Sequence, residues 1–379
     1  MNRTFEYRLF LRPHERTLLE AMLEQAREVY NAALQQCKTV YEMTGKREAG
    51  ISQWRYFREW RKQDGILLNA SSLQHILRRL DKAYSAFFRR LKAGKTPGHP
   101  RFKGERHFSG LEYTYGDGCK LTYDKTFDRF VLYLQNVGKI KIKFHRFLPV
   151  GAKIKHLVLK RKASGWYVFL MLECRDPLPA EPNGLPEVGC DVGLLRLLTL
   201  SDGTEIDNPR WFRQEQAELR RAQRRLGRAK KGSQNRKEAR NIVAKHHEHV
   251  ANQRRDFWHK LTYWLVHTYG LIALEELNLA FMIRNRHLSL SALDAGLGAF
   301  QTLLCYKAVD AGSHVTFVNP AYTSQACNGC GEIVQKDLSV RWHSCPHCCL
   351  ELDRDLNAAR NILNLALQTR SGPDRQALT

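Results

Sequence analysis

No stretch of the sequence approaches the ~18 consecutive apolar residues that a membrane-spanning helix requires. The opening Met1-Asn2-Arg3-Thr4-Phe5-Glu6 runs straight into more charge and lacks the apolar core of a secretory signal. A reducing compartment is therefore expected, where the ten cysteines serve as thiols or metal ligands and not as disulfides. Acidic residues are the scarce charge: 38 Asp and Glu face 61 Lys and Arg, a formal net charge of +23. That excess is far beyond what solubility needs and points to a polyanionic partner. Internal repeats are absent. A hydrophobic fraction of 43% excludes wholesale disorder and allows a real core. At 379 residues, and at ~100–200 residues per domain, two or three domains are expected.

The periodicities divide the chain. Residues 3–10 alternate Phe5, Tyr7 and Leu9 against Glu6 and Arg8 and read as a strand. Helical spacing follows over 14–43, with Pro13 in the first turn and Gly45 at the end, then over 52–62 and over 71–93, with Ser71 or Ser72 as cap. Regular structure stops at Gly94-Lys95-Thr96-Pro97-Gly98-His99-Pro100. Between 111 and 175, short alternating segments suggest a β-barrel-like domain, and the segment 139–144 carries lysine on every outward position. Pro177, Pro179, Pro182 and Pro186 mark a linker. Beyond it, the order strand, strand, long helices, strand, helix, strand, cysteine knuckle, helix is an α/β order. The segment 210–260 reads as one long basic helical stretch, and the tail after Gln368 as loose.

Cys327-x-x-Cys330 and Cys345-x-x-Cys348 are two CxxC turns fourteen residues apart. Zinc takes four thiolates at ~2.3 Å in a tetrahedron, and each turn presents two. Gly331 and Pro346 suit tight knuckles. With the shell closed, the site is structural. The neighbouring His347 and Cys349 are weaker ligand candidates, and Cys37, Cys119, Cys174, Cys190, Cys305 and Cys349 are expected as small buried hydrophobes.

Carboxylates occur at three informative places. Asp191 interrupts the apolar strand Val188-Gly189-Cys190-Asp191-Val192-Gly193, where a lone acid is costly unless paired or bound to a metal. Glu275 and Glu276 end a second apolar strand that begins at Leu271. Asp353 and Asp355 open a helix. Asp355 shares a face with the small residues Ala358, Ala359, Ile362 and Ala366, so it points inward, whereas Asp353 reads as a cap or as a partner for Arg354. Period-2 alternation does not choose between the two glutamates, because both faces of their strand are apolar. Acids gathered in this way suit hydrolysis of a phosphodiester by divalent ions ~3.5–4 Å apart.

Together these segments resemble the TnpB family, transposon-encoded RNA-guided nucleases ancestral to type V CRISPR effectors. The resemblance rests on Asp191-Val192-Gly193, Leu274-Glu275-Glu276-Leu277-Asn278, the Cys327–Cys348 knuckle with Lys336-Asp337-Leu338-Ser339-Val340-Arg341 inside it, and Asp353-Arg354-Asp355-Leu356-Asn357-Ala358-Ala359. It covers roughly residues 187–365; the amino-terminal half matches only in the order of its modules. It implies an α+β multidomain chain: a β-barrel wedge domain (1–10 and 101–180) with a helical recognition insert (11–100), and an RNase H-like RuvC domain (186–318 and 352–368) with an inserted zinc knuckle (319–351) and a tail (369–379). It implies the catalytic triad Asp191, Glu275 and Asp355, holding Mg2+ as two ions, beside structural Zn2+ on Cys327, Cys330, Cys345 and Cys348. The implied partners are a guide RNA from the transposon end and double-stranded target DNA cut beside a short flanking motif, in a prokaryotic cytoplasm near the nucleoid. One departure is Cys349, where the family has glycine after the last zinc ligand; the turn there is expected to be strained.

Base pairing would supply sequence specificity, so the protein would read shape and phosphates. Arg220, Arg221, Arg224, Arg225, Arg228, Lys230, Lys231, Arg236, Lys237 and Arg240 would line a heteroduplex channel. Trp54, Tyr56, Phe57 and Trp60 alternate with Arg55, Arg58 and Arg61 and divide between core and nucleic-acid contact. The competing readings are a catalytically silent guided repressor or zinc-dependent transposition accessory, and a stand-alone RNase H-like transposase or resolvase that needs no guide.

Overall fold

The computed structural model describes residues 2–46, 50–63, 65–174, 183–286, 288–337 and 340–371. Three expectations fall wholly or partly outside them: the linker prolines Pro177, Pro179 and Pro182, the Leu338-Ser339 step of the knuckle, and the tail from 372. Two compact units divide the chain, Met1–Asp176 and Pro177–Thr379.

The first unit begins with strand β1 (Asn2–Phe10) and three helices, α1 (Pro13–Thr44), α2 (Gly50–Trp60) and α3 (Ala70–Lys92). Six strands follow: β2 (Gly110–Thr114), β3 (Cys119–Asp124), β4 (Arg129–Leu134), β5 (Gly138–Ile142), β6 (Lys153–Lys162) and β7 (Gly165–Glu173). They form one seven-stranded sheet in the order β2-β6-β7-β1-β5-β4-β3, with antiparallel neighbours throughout. β1 therefore lies in the middle of a sheet whose other strands come at least 100 residues later, and the three helices are inserted between it and them. Inward residues such as Tyr7, Tyr113, Leu132, Leu157 and Leu170 share one core with Leu19, Met22 and Leu73 of α1 and α3. Lys139, Lys141 and Lys143 are exposed.

The cap of α3 differs from expectation. Asn69, not Ser71 or Ser72, takes the N-cap position, and its carboxamide oxygen accepts from Ser72 N at 2.9 Å. Both serines are buried inside the first turn, with Ser71 Oγ donating to the same Asn69 oxygen. Of the α2 aromatics, Phe57 is core, Trp54 and Trp60 pack partly against it, and Tyr56 is exposed.

The second unit contains β8 (Glu187–Asp191), β9 (Arg196–Leu200), β10 (Glu205–Asp207), α4 (Trp211–Arg228), α5 (Gln234–Thr268), β11 (Leu271–Glu275), α6 (Leu279–Arg284), α7 (Ser289–Ala295), α8 (Leu297–Ala311), β12 (His314–Val318), β13 (Trp342–Ser344), β14 (Glu351–Asp353) and α9 (Arg354–Ser371). Its main sheet has the order β10-β9-β8-β11-β12, with β8, β11 and β12 parallel. Those parallel strands are apolar because both faces are covered. Val188, Cys190, Ile272 and Leu274 meet Trp258, Leu265, Phe300 and Leu304 of α5 and α8. On the other face Ala273 and Val318 meet Ile362 and Ala366 of α9.

Two expectations are corrected here. The basic stretch 210–260 is two helices, not one: α4 stops at Arg228, Gly232 turns with φ +87°, and Ser233 caps α5 by accepting from Arg236 N. Arg236 Nη1 donates to Leu226 O and Ala229 O, so this arginine closes the end of α4. The tail after Gln368 is not loose at once, because α9 continues to Ser371.

The close approach of α9 to β8 sets the geometry of this unit. A Cβ on Gly189 would lie 2.0 Å from Ala359 O and 2.7 Å from Leu363 N, both of which are helix backbone. No side chain fits without pushing the helix off the strand. Gly189→Ala should therefore cost about 3 kcal/mol, the upper range for overpacking a core. Gly227→Ala, where an added Cβ meets nothing within 4 Å, should be neutral or stabilising by up to ~1 kcal/mol. Urea unfolding of the two variants checks both values.

Candidate active site and metal centre

The parallel register brings two of the three acids together. Leu274 pairs with Cys190, so Glu275 and Asp191 come level at the carboxyl ends of adjacent strands. Alternation along each strand puts Asp191 on the face of Gly189 and Glu275 on the face of Ala273, which is the face that α9 covers. Asp355 stands in the first turn of that helix and completes the set. All three line one cleft of about 560 Å3, with Asn208, Arg210 and Arg213 on its walls. Glu276 is exposed and is not among the residues lining this cleft.

Burial, and then the charges of Glu275 and Asp355, push the Asp191 carboxyl up to about 8, while Arg354 pulls it partly back. Burial also raises Glu275, opposed by a hydrogen bond that the Thr323 hydroxyl donates to Oε1. Arg354 Nη2 lies 3.2 Å and Arg341 Nη1 3.6 Å from Asp355 Oδ1. Asp353 does act as a cap: its Oδ1 accepts from Asp355 N and Leu356 N. Its Oδ2 takes Arg196 Nη1 at 3.0 Å, and the same Arg196 atom lies 2.7 Å from Glu205, so α9 is moored to β9 and β10. Three carboxylates converging on one cleft offer hard oxygen donors, a set that suits Mg2+.

Thr323, Arg196 and the buried Asp294 went unremarked in the sequence, and Arg341 was noted only as part of the knuckle motif. Asp294 accepts from Phe212 N and Arg254 Nη2 in the wall of the cleft. Thr323 lies in a turn and Asp294 in a short helix, where periodicity carries no signal, and Arg196 opens the five-residue strand β9.

The four knuckle sulfurs lie within 4.8 Å of one another. Cys327 Sγ to Cys348 Sγ is 3.5 Å and Cys330 Sγ to Cys345 Sγ is 3.6 Å, near the ~3.8 Å edge of a tetrahedron with 2.3 Å bonds. The two turns are built alike: Gly331 N donates to Cys327 O, and Cys349 N donates to Cys345 O. Gly331 sits at φ +81° and Cys349 at φ +60°, so the cysteine does occupy a left-handed position that favours glycine. His347 and Cys349 are exposed and outside the cluster. Cys37, Cys119 and Cys190 are buried as expected; Cys174 and Cys305 are only half-buried.

The knuckle is docked on α9 by two asparagines. Asn357 accepts from Asn328 N and donates to Ala326 O; Asn361 donates to Thr323 O and Ala326 O and accepts from Asn328 Nδ2. The segment that holds Thr323 against Glu275 is thus anchored two and six residues beyond Asp355 on α9.

A family model described as a probable transposase (OrfB_IS605) matches residues 169–286, and one described as a Cas12f1-like TNB domain matches 298–362. A third, described as a helix-turn-helix domain, matches 1–46, a segment that here is strand β1 and the single long helix α1. A Streptomyces pristinaespiralis protein named as an RNA-guided DNA endonuclease is 31% identical over 97% of this chain and 90% of its own length. Escherichia coli (strain K12) InsQ, also named as an RNA-guided DNA endonuclease, is 28% identical over 96% of this chain and 92% of its own. The fold is similar to that in a cryo-EM structure of a Cas12f1-sgRNA-target DNA complex, with TM-score 0.57 and 16% identity over 93% of this chain and 82% of that one. Among the described residues no helix is long and apolar enough to cross a membrane.

The raised Asp191 fixes the sign of a pH effect. Its folded-state value lies above the ordinary carboxylate range, so its contribution to stability is complete in acid and is lost as the pH rises. Metal-free protein should lose stability progressively from about pH 4 and level off above about 8. Asp191→Asn should flatten that slope, and saturating Mg2+ should oppose it; thermal unfolding across pH is the measurement. With the motifs, the shared cleft and a relative this similar over nearly its whole length, the chain belongs to the TnpB family.

Proposed function

We propose that this protein is an RNA-guided DNA endonuclease encoded by a transposon. On this reading it cleaves double-stranded DNA beside a short flanking motif, with Asp191, Glu275 and Asp355 as the catalytic acids. The observation that carries the reading is their convergence from two strands and a helix into one cleft, where burial and then the charges of Glu275 and Asp355 push Asp191 up to about 8.

Asp191, Glu275 and Asp355 would hold Mg2+, as two ions. Bound there, divalent ions supply Lewis acidity to the phosphoryl oxygen and lower the pKa of the attacking water. The chain's own residues do the rest. Thr323 orients the Glu275 carboxylate, Asp353 fixes the start of α9 and so the direction of Asp355, and Arg341 and Arg354 lower the net charge of the cluster. Cys327, Cys330, Cys345 and Cys348 would bind Zn2+ as a structural ion, and the asparagine bridge would pass that rigidity to α9.

The sheet order, with β8 central between an antiparallel pair and a parallel pair, supports an RNase H-like, RuvC-type reading of the second unit. The first unit reads as a wedge barrel domain with α1–α3 as a recognition insert, since β1 lies in the middle of the seven-stranded sheet while the helices leave it between β1 and β2. Guide RNA from the transposon end and the target duplex account for the charge of +23. Arg220, Arg221, Arg224, Arg225, Lys230, Lys231 and Lys237 are exposed along the α4–α5 hairpin and would contact phosphates.

A purely binding role would leave anionic residues gathered in a cationic protein without purpose. The test is depletion of a plasmid library with a fixed target and a randomised flank, with protein co-expressed with its downstream transposon-end RNA. Particular flanks should disappear with the unaltered protein and persist with Asp191→Ala. Persistence of every flank, with RNA still co-purifying, would make the protein a guided binder.

A further inference from the structure

A second cluster of metal-ligating side chains lies in the first unit, apart from the knuckle and the acidic cleft. On β2, Glu112 and Thr114 point to the face opposite the core residues Leu111 and Tyr113. On β6, His156 stands directly across from Thr114, and Val158 across from Glu112. Helix α3 contributes His75, which is only 8% exposed. One donor atom each from His75, Glu112 and His156 lie within 4.8 Å of one another. His75 and Glu112 border a cavity of about 200 Å3 that Arg79, Phe108 and Lys160 also line.

The hydrogen bonding in this cluster is incomplete. His75 Nε2 is 3.1 Å from the Thr114 hydroxyl, which leaves Nδ1 facing Glu112 Oε1 at 3.4 Å, long for a hydrogen bond. If Nε2 carries the proton to Thr114, Nδ1 and the carboxylate are two lone pairs turned toward each other. Burial lowers the pKa of this imidazole. His156 meets the His75 ring edge-on at 5.3 Å, and its Nδ1 is buried with no hydrogen-bond partner among the described residues. A buried orphan nitrogen is costly, and a cation between the two rings and the carboxylate would satisfy all three groups.

We propose that His75, Glu112 and His156 form a second metal site that takes a divalent ion of borderline softness, for which Zn2+ is the probe. Two imidazole nitrogens with one carboxylate oxygen are a recurring donor set for such ions, with room for a fourth ligand. Thr114 orients the His75 ring, as a second hydrogen bond does for a ligating histidine elsewhere. Arg79 and Lys160 oppose a cation in the same cavity, so Glu112 supplies the compensating charge there. A bound ion would clamp α3 onto β2, the edge strand of the sheet, and onto β6 beside it.

The test is metal content of the full-length protein equilibrated with Zn2+ and freed of excess ion, read by mass spectrometry, with Co2+ substitution as the second readout. The unaltered protein should hold at least two zinc equivalents, and His156→Ala and Glu112→Gln one fewer each. In the cobalt protein the thiolate site gives intense charge-transfer absorption. The second equivalent should add only weak ligand-field bands, which the variants lack. Thr114→Val should weaken the second equivalent by roughly tenfold. Glu112→Gln is nearly isosteric, so it decides the matter should His156→Ala misfold. A single equivalent in the unaltered protein overturns the proposal, as does a count that is unchanged in both variants.

Discussion

The contact between Gly189 and the backbone of α9 is the constraint on which the rest of the second unit depends. Ala359 O stands where a Cβ on Gly189 would be, so helix and strand touch main chain to main chain. Only at that spacing does a helix in its first turn bring Asp355 into the cleft of Asp191 and Glu275. Each acid then depends on a different element, and the cluster exists only while all three hold their places. The knuckle reinforces the same contact from the far side, through Asn357 and Asn361.

Charge is divided in space to match. The arginines and lysines that dominate the composition are exposed along α4 and α5, while the acids of the cleft are drawn inward. Three of the basic residues in the acidic region are tethered to acids: Arg196 to Glu205 and Asp353, Arg354 and Arg341 to Asp355. Such an arrangement keeps a polyanion at the surface and leaves the interior acids to a cation.

Much of this was legible in the sequence because it has a period or a spacing. The small-residue face of α9 announced that Asp355 turns inward, and the doubled CxxC announced four converging sulfurs. Cys349 announced its own left-handed strain. Other features had no such signature. Both sides of β11 are apolar, so alternation alone did not separate Glu275 from Glu276, and the family resemblance pointed to Glu275; in the structure Gly189 and Ala273 mark the side of close helix approach. The break between α4 and α5 hid behind uninterrupted basic residues, since a turn at Gly232 and a cap at Ser233 are short signals. Asn69 displaced the two serines as cap because both serines are used inside the turn. His75, Glu112 and His156 are far apart in the chain, and only the pairing of β2 with β6 under α3 unites them.

The central claim is that Asp191, Glu275 and Asp355 act as one metal-dependent nuclease centre. It is tested most directly by cleavage of a matched duplex in Mg2+ with purified, guide-loaded protein, comparing Glu275→Gln with Glu276→Gln. The account predicts a loss of roughly 10²–10³-fold or more for Glu275→Gln and near-normal cleavage for Glu276→Gln. Undiminished cleavage by Glu275→Gln, or a loss confined to Glu276→Gln, would contradict it.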